Sequence, residues 1–203
     1  MSVENNTIKR PLAGKTRWRR FAIVAVPGVV LAGALAGMTA KGAIASSISV
    51  SGQEYMVAAQ QLQGQGFVQF GGSVNSDQGG KNVTEPTIDS GIANATLKNL
   101  CQSVHMGPLT MRLTAGGGGD PVKASNMVVD ASGQTGSKAV FHNITVGQDA
   151  STLNKDGSES GMAGGFGQQA DSVTIDNLRQ DTWLTTAGTF TLPGLKLGFG
   201  GGC

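Results

Sequence analysis

Apolar and polar residues alternate with a period of two in several stretches of the chain. Leu109, Met111 and Leu113 alternate with threonine and arginine, and the apolar residues between Phe190 and Phe199 follow a similar pattern. A period of two places successive side chains on opposite faces of a β-strand. These stretches therefore predict half-buried strands.

Other short segments rich in β-branched or aromatic residues predict further strands, at residues 47–50, 66–70, 126–130, 139–146 and 173–178. Helical periodicity is scarce, and only residues 53–63 and 168–180 leave room for a helix. About eight to ten short strands predict an all-β domain, either a sandwich or a curled antiparallel sheet. The polar, glycine-rich stretch 147–170 predicts a mobile loop.

A β-solenoid is the alternative fold. It is supported by a weak internal sequence repeat, which we call the internal echo. Residues 96–102 and 174–180 share Thr, Asn, Leu and Gln at a spacing of 78, and residues 142–144 resemble them faintly. In a solenoid these units would be stacked coils with a ladder of asparagines. A repeated strand in a sandwich accounts for the echo equally well, so the sandwich or curled sheet is preferred.

Residues 21–40 form an uncharged stretch of twenty, which as a helix would span about 30 Å, the thickness of a hydrocarbon core. Six cations precede it and only Lys41 lies close behind it, which predicts a cytoplasmic N-terminus. The predicted organisation is a basic cytoplasmic leader at 1–20, a transmembrane or signal helix at 21–40 and an exported β domain at 46–203.

The sequence leaves open whether the helix stays attached. Ala43 and Ala45 are the small residues that signal peptidase reads, so cleavage after Ala45 is one prediction. The stretch is also long enough to be a permanent anchor, which predicts a single-pass protein of the cell membrane with its C-terminal domain outside. Gly33 and Gly37 form a GxxxG pair, a candidate contact between two membrane helices and hence for a homo-oligomer.

The charge is distributed unevenly along the chain. The whole chain carries +2, but residues 1–20 carry +5, and the part from Ser46 onwards has eight Lys or Arg against twelve Asp or Glu, or −4. Binding to phosphates requires clustered cations on the domain itself. Nucleic acid is therefore excluded as the expected partner, and the membrane is favoured.

Both cysteines, Cys101 and Cys203, lie beyond the predicted span, where thiols can oxidise. The simplest interpretation is one disulfide that ties the last residue to the middle of the domain. A bridge between two copies through Cys203 is the alternative.

The chain lacks the motifs that would indicate catalysis or a bound metal. No G-x-S-x-G sequence is present, and any Ser-His-Asp site would need His105 or His142, the two histidines. Their spacing does not form a recognisable zinc site, and Asp156 and Glu159 lack the EF-hand pattern for calcium. We therefore predict no catalytic, cofactor-binding or metal-binding residues.

Several segments together resemble an uncharacterised family of exported actinobacterial proteins, which genome annotation sometimes labels cholesterol esterase. The resemblance extends from the leader to Cys203 and rests on ATLKNLCQSV (95–104), PVKASNMVVD (121–130), HNITVGQDAS (142–151), FGQQADSVTIDNLRQ (166–180) and TTAGTFTLPGLKL (185–197). It implies an actinobacterial envelope protein, and the esterase label implies hydrolysis of sterol esters.

Three functions follow as expectations, in this order. The first is a non-catalytic envelope protein that binds a lipid or another envelope component in an apolar groove of its β domain. The second is an esterase acting on sterol or lipid esters, with His142 or His105 as its base. The third is a structural or assembly protein whose subunits join through the GxxxG pair or Cys203.

Overall fold

A computed structural model describes residues 50–78, 80–157 and 159–203. The chain divides into two units, Met1–Ile44 and Ala45–Cys203, and every described residue belongs to the second. The predicted span, its Gly33 and Gly37, and the cleavage residues Ala43 and Ala45 lie outside the described residues. Within the described part, no helix has the length and apolar character needed to cross a membrane.

The described residues form eleven strands and one 3-10 turn at Ala150–Thr152, which confirms the all-β prediction. The strands are β1 (Val50–Ser51), β2 (Tyr55–Asp77), β3 (Asn82–Lys98), β4 (Leu100–Met106), β5 (Leu109–Ala115), β6 (Val122–Thr135), β7 (Lys138–His142), β8 (Thr145–Asp149), β9 (Phe166–Thr186), β10 (Thr189–Thr191) and β11 (Lys196–Phe199). The two segments that left room for a helix lie in β2 and β9.

Four long strands close into a ring within a single sheet. β2 pairs with β3 on one side and with β9 on the other, and β6 joins β3 to β9. Every strand pair is antiparallel except the short β1 with β2. This is the curled antiparallel sheet that the sequence predicted. The solenoid alternative is wrong, because its coils would stack in parallel.

The main core lies inside the ring and is built from apolar side chains on the long strands. Leu62 and Phe67 of β2, Ile92 of β3 and Leu178 of β9 are all buried in it. In β2 and β9 these core residues occupy only part of the strand, and Val74 of β2 forms a separate small cluster with Trp183 of β9. The strands are longer than the short ones predicted, with 23 residues in β2 and 21 in β9.

In the part of the chain that the structure describes, four asparagines have a positive φ, which explains the internal echo. Asn99, Asn143 and Asn177 occupy the echoed position and have φ of 51°, 52° and 50°, and Asn126 has φ of 46°. Asparagine tolerates this left-handed conformation better than most residues. In β6 and β9 the buried positions change parity across the asparagine, for example from Ala124 to Met127 and Val129. The echo therefore marks similar backbone kinks and not stacked coils.

The stretch 147–170 is not the loop that the sequence predicted. Its first residues belong to β8 and its last to β9. Residues 150–165, which we call the covering segment, pack on the outer face of the ring. There Ala150 and Leu153 form a small buried cluster with Val68 and Phe70 of β2. The sequence did not predict this packing, because Ala150 and Leu153 are isolated apolar residues in a stretch of glycines and polar residues.

Candidate functional site

Three strands extend from the ring, namely β4, β5 and β11, which we call the wing. Residues 101–103 of β4 pair with residues 56–58 of β2, and β5 and β11 follow outward. The amide of Gly116 donates to the carbonyl of Pro193, and the amide of Gly200 donates to the carbonyl of Thr110. These bonds hold β11 against β5 at both of its ends.

The register of the wing gives it one apolar face and one polar face. Residues directly opposite one another in an antiparallel pair share a face, as do residues two apart along a strand. The apolar face carries Gln102 and seven apolar residues: Val104, Met106, Leu109, Met111, Leu113, Leu197 and Phe199. The polar face carries Cys101, Ser103, His105, Thr110, Arg112, Thr114 and Lys196.

The apolar face becomes more exposed with distance from the ring. Leu113 is half-buried and packs against the main core. Further out, Leu109, Leu197 and Phe199 retain 54%, 64% and 69% of their accessible surface. A contiguous exposed apolar patch is typical of a surface that contacts a protein, a ligand or a membrane. The outer part of the wing is therefore the candidate functional surface.

A groove of about 230 Å³ runs between this face and the residues that lead into β2. Its walls include Ser51, Gln53 and Tyr55 on one side and Met111 and Leu197 on the other. Pockets that enclose a drug-sized ligand measure about 300 Å³ or more. The groove therefore suits a segment of an apolar molecule, such as part of an acyl chain.

Tyr55 lines this groove, and its hydroxyl is held by a hydrogen bond. Its hydroxyl donates to the Oγ1 of Thr185 at 2.6 Å. Burial raises the pKa of Tyr55, so the phenol keeps its proton at neutral pH. The tyrosine is thus held in one orientation and presents its ring to the groove as an uncharged surface.

The disulfide and the C-terminal tail lie on the polar face of the wing. The Sγ atoms of Cys101 and Cys203 are 2.03 Å apart, the pairing within one chain that the sequence favoured over a bridge between copies. The amide of Cys203 donates to the Oγ of Ser103 at 3.1 Å, and the guanidinium of Arg179 donates to the Cys203 carbonyl at 3.3 Å. The tail is therefore fixed to the polar face and leaves the apolar face open.

The interior of the ring does not offer the lipid groove that the sequence led us to expect. The cavity among its core side chains measures about 30 Å³, space for about two water molecules. It is lined by packed residues such as Leu62, Phe67 and Ile92. The groove on the wing therefore offers more space to a ligand than the core does.

A second cluster, of four acidic residues, lies beneath and within the covering segment. Asp89 of β3 and Asp130 of β6 are directly opposite one another in the sheet. Asp156 and Glu159 come from the covering segment, and Asp156 is only 4% exposed. The Asp156 carboxylate lies so close to Gly91 that a Cβ there would overlap it.

Burial favours the protonated forms of Asp89, Asp130 and Glu159. Burial, followed by the charges of Asp89 and Glu159, raises the pKa of Asp130 to about 7. Burial also raises the pKa of Asp89, although a hydrogen bond from the Thr87 hydroxyl acts in the opposite direction. The pKa of Glu159 is raised by burial and then by the charge of Asp156. Among the described residues, no group of three or more acids, histidines or cysteines is placed to hold a metal ion.

Both histidines are exposed to solvent. The Nδ1 of His105 lies 2.9 Å from the Oγ1 of Thr110, on the polar face of the wing. His142 is exposed in β7, opposite Ser172 of β9. In the described part of the chain, neither histidine has a hydrogen bond to a carboxylate. The structure thus gives the esterase alternative no assembled Ser-His-Asp arrangement among these residues.

Comparison with known proteins gives one result. Residues 51–203 match the model of a family described as a family of unknown function (DUF6230). No curated protein and no solved structure matches the chain.

Proposed function

The chain belongs to this family of unknown function, and from its own residues we propose that it is a non-catalytic protein of the cell envelope that binds lipid through its exported β domain. The observation that carries the proposal is the apolar face of the wing, where Leu109, Leu197 and Phe199 are more than half exposed. Water-exposed apolar surface of this kind is stabilised when a lipid chain covers it.

The envelope location rests on the sequence and on the disulfide. Residues 21–40 have the length and apolar character of a membrane span or export signal. A disulfide between Cys101 and Cys203 favours a compartment outside the cytoplasm, where such bonds persist. The resemblance to exported actinobacterial proteins supports the same location.

The groove supports binding better than hydrolysis. Most of its surface comes from apolar side chains, and neither histidine is among the residues that line it. Tyr55, the aromatic residue that lines it, is held by Thr185 and keeps its proton. An esterase needs a nucleophile activated by a neighbouring base, and the groove brings no such pair together.

Native mass spectrometry of residues 46–203, purified from an exporting actinobacterial host, tests the proposal. We expect a reproducible added mass from a bound molecule. That molecule should extract into organic solvent, and its mass should identify the lipid class. The double variant L197S/F199S should lose this mass, because both side chains belong to the exposed apolar face. The variant F166S removes an equally exposed apolar side chain, at 64%, from the far end of β9 and should keep it. A wild-type domain that carries no lipid would contradict the proposal.

A further inference from the structure

We propose that the apolar face of the wing docks on the outer surface of the membrane bilayer. This inference rests on the proposed function and extends it, because the surface that binds a lipid molecule would also contact the bilayer from which the lipid comes. Docking would place Leu109, Leu197 and Phe199 among the lipid headgroups and the upper acyl chains, with the ring standing away from the membrane.

The position of the wing along the chain supports a bilayer as the occupant. Ser51 and Gln53 line the groove, so the described chain begins at this surface. Only residues 41–50 separate Ser51 from Ala40, the last residue of the predicted span. Ten residues reach at most about 35 Å when fully extended. A span anchored in the bilayer would therefore hold the wing near the membrane surface at a high effective concentration.

The chemistry of the two faces determines which of them meets the membrane. The polar face is occupied by the C-terminal tail and carries Arg112 and Lys196. The apolar face contains no charged residue, and its outer side chains are the exposed ones. Because the domain carries a net charge of −4, anionic headgroups do not attract it as a whole. Docking should therefore depend on apolar burial and respond little to salt.

Flotation with phosphatidylcholine vesicles containing a minority of phosphatidylglycerol tests the inference on residues 46–203. This segment can be used alone because the described residues contain the complete ring core and the disulfide. We expect the wild-type domain to float with the vesicles. The variant L197S/F199S should bind more than about tenfold more weakly, because two exposed apolar side chains no longer enter the bilayer.

Two controls make the result specific to the wing. F166S removes a side chain of similar exposure opposite Asp149 of β8, one residue from the pair of Gly167 with Phe70 of β2, whereas the wing joins β2 at residues 56–58. It should float like the wild type. Raising the salt from about 0.1 M to about 0.5 M should change the bound fraction less than twofold, since the Debye length shortens without affecting apolar burial. Unchanged circular dichroism would show that the variants are folded.

Three results would overturn the inference. One is a wild-type domain that fails to float, and another is an equal loss of binding in F166S. The third is sedimentation of the wild type as a dimer that L197S/F199S converts to a monomer, which would assign the face to a second copy. A domain that retains extractable lipid in native mass spectrometry but does not float would refute docking alone and leave the proposed lipid binding intact.

Discussion

Replacing Asp130 by asparagine should remove much of the pH dependence of the domain's stability. In the folded protein the pKa of Asp130 is raised from 3.8 to about 7, by burial and then by Asp89 and Glu159. Between pH 4 and pH 7 the folded protein therefore keeps a proton that the unfolded chain has lost. Under this linkage the free energy of unfolding falls as the pH rises through that interval, and it levels off above pH 7.

The size of the effect follows from the pKa shift. A shift of about three units corresponds to about 4 kcal/mol, at about 1.36 kcal/mol per unit. Asp130 retains partial access to solvent, which screens its interactions and reduces the expected loss to about 2 kcal/mol between pH 4 and pH 8. Asparagine has nearly the same shape and no charge. D130N should therefore match the wild type at pH 4 and exceed its stability by about 2 kcal/mol at pH 8.

Urea unfolding of residues 46–203 at a series of pH values measures this difference. D120N is the matched control, because Asp120 is an exposed acid in the loop between β5 and β6. It should follow the wild-type curve at every pH. The reasoning is refuted if wild-type stability stays constant or rises from pH 4 to pH 8, or if D130N is destabilised equally at both ends of the range.

The remaining predictions concern single contacts, each measured by the free energy of unfolding. G91A should lose about 1–3 kcal/mol, because its Cβ would overlap the Asp156 carboxylate, whereas G71A has open space and should be nearly neutral. C101S should lose about 2–5 kcal/mol and become insensitive to reductant, while the reduced wild type should fall to the same stability. N126A should lose about 1 kcal/mol, because alanine is strained at a φ of 46°, whereas N126G should keep the wild-type stability. Equal losses in the two variants would contradict this explanation.

The fold class could be predicted from the sequence because local patterns determine it. The alternation at Leu109, Met111 and Leu113 lies in β5, and the pattern ending at Phe199 includes β11. The lengths of the strands were not predictable in the same way. Asn126 and Asn177 change the parity of the buried positions within β6 and β9, so no single alternation runs through either strand and only a short part of each was predicted.

The sequence predicts which residues form the candidate surface but not that the surface is exposed. Alternation at 109–113 and 195–199 indicates which side chains share a face, but whether another element covers that face depends on tertiary packing. Of the acidic cluster, only the proximity of Asp156 and Glu159 is visible in the sequence. Asp89, Asp130 and Asp156 belong to three separate segments, and only the ring and the covering segment bring them together. In the sequence each is an isolated acid, which is usually a solvated one.

The closure of the ring between β2 and β9 determines when the domain can finish folding. These strands pair over residues as far apart as Tyr55 and Thr182, so the closing contacts join the two ends of the domain. Such a high contact order slows folding, since long loops must close before the pairing stabilises them. Until β9 is available to pair, β2 is left with an unpaired edge. A chain that is cut short before β9 is therefore a target for proteases and for edge-to-edge aggregation, whereas the closed ring has paired that edge.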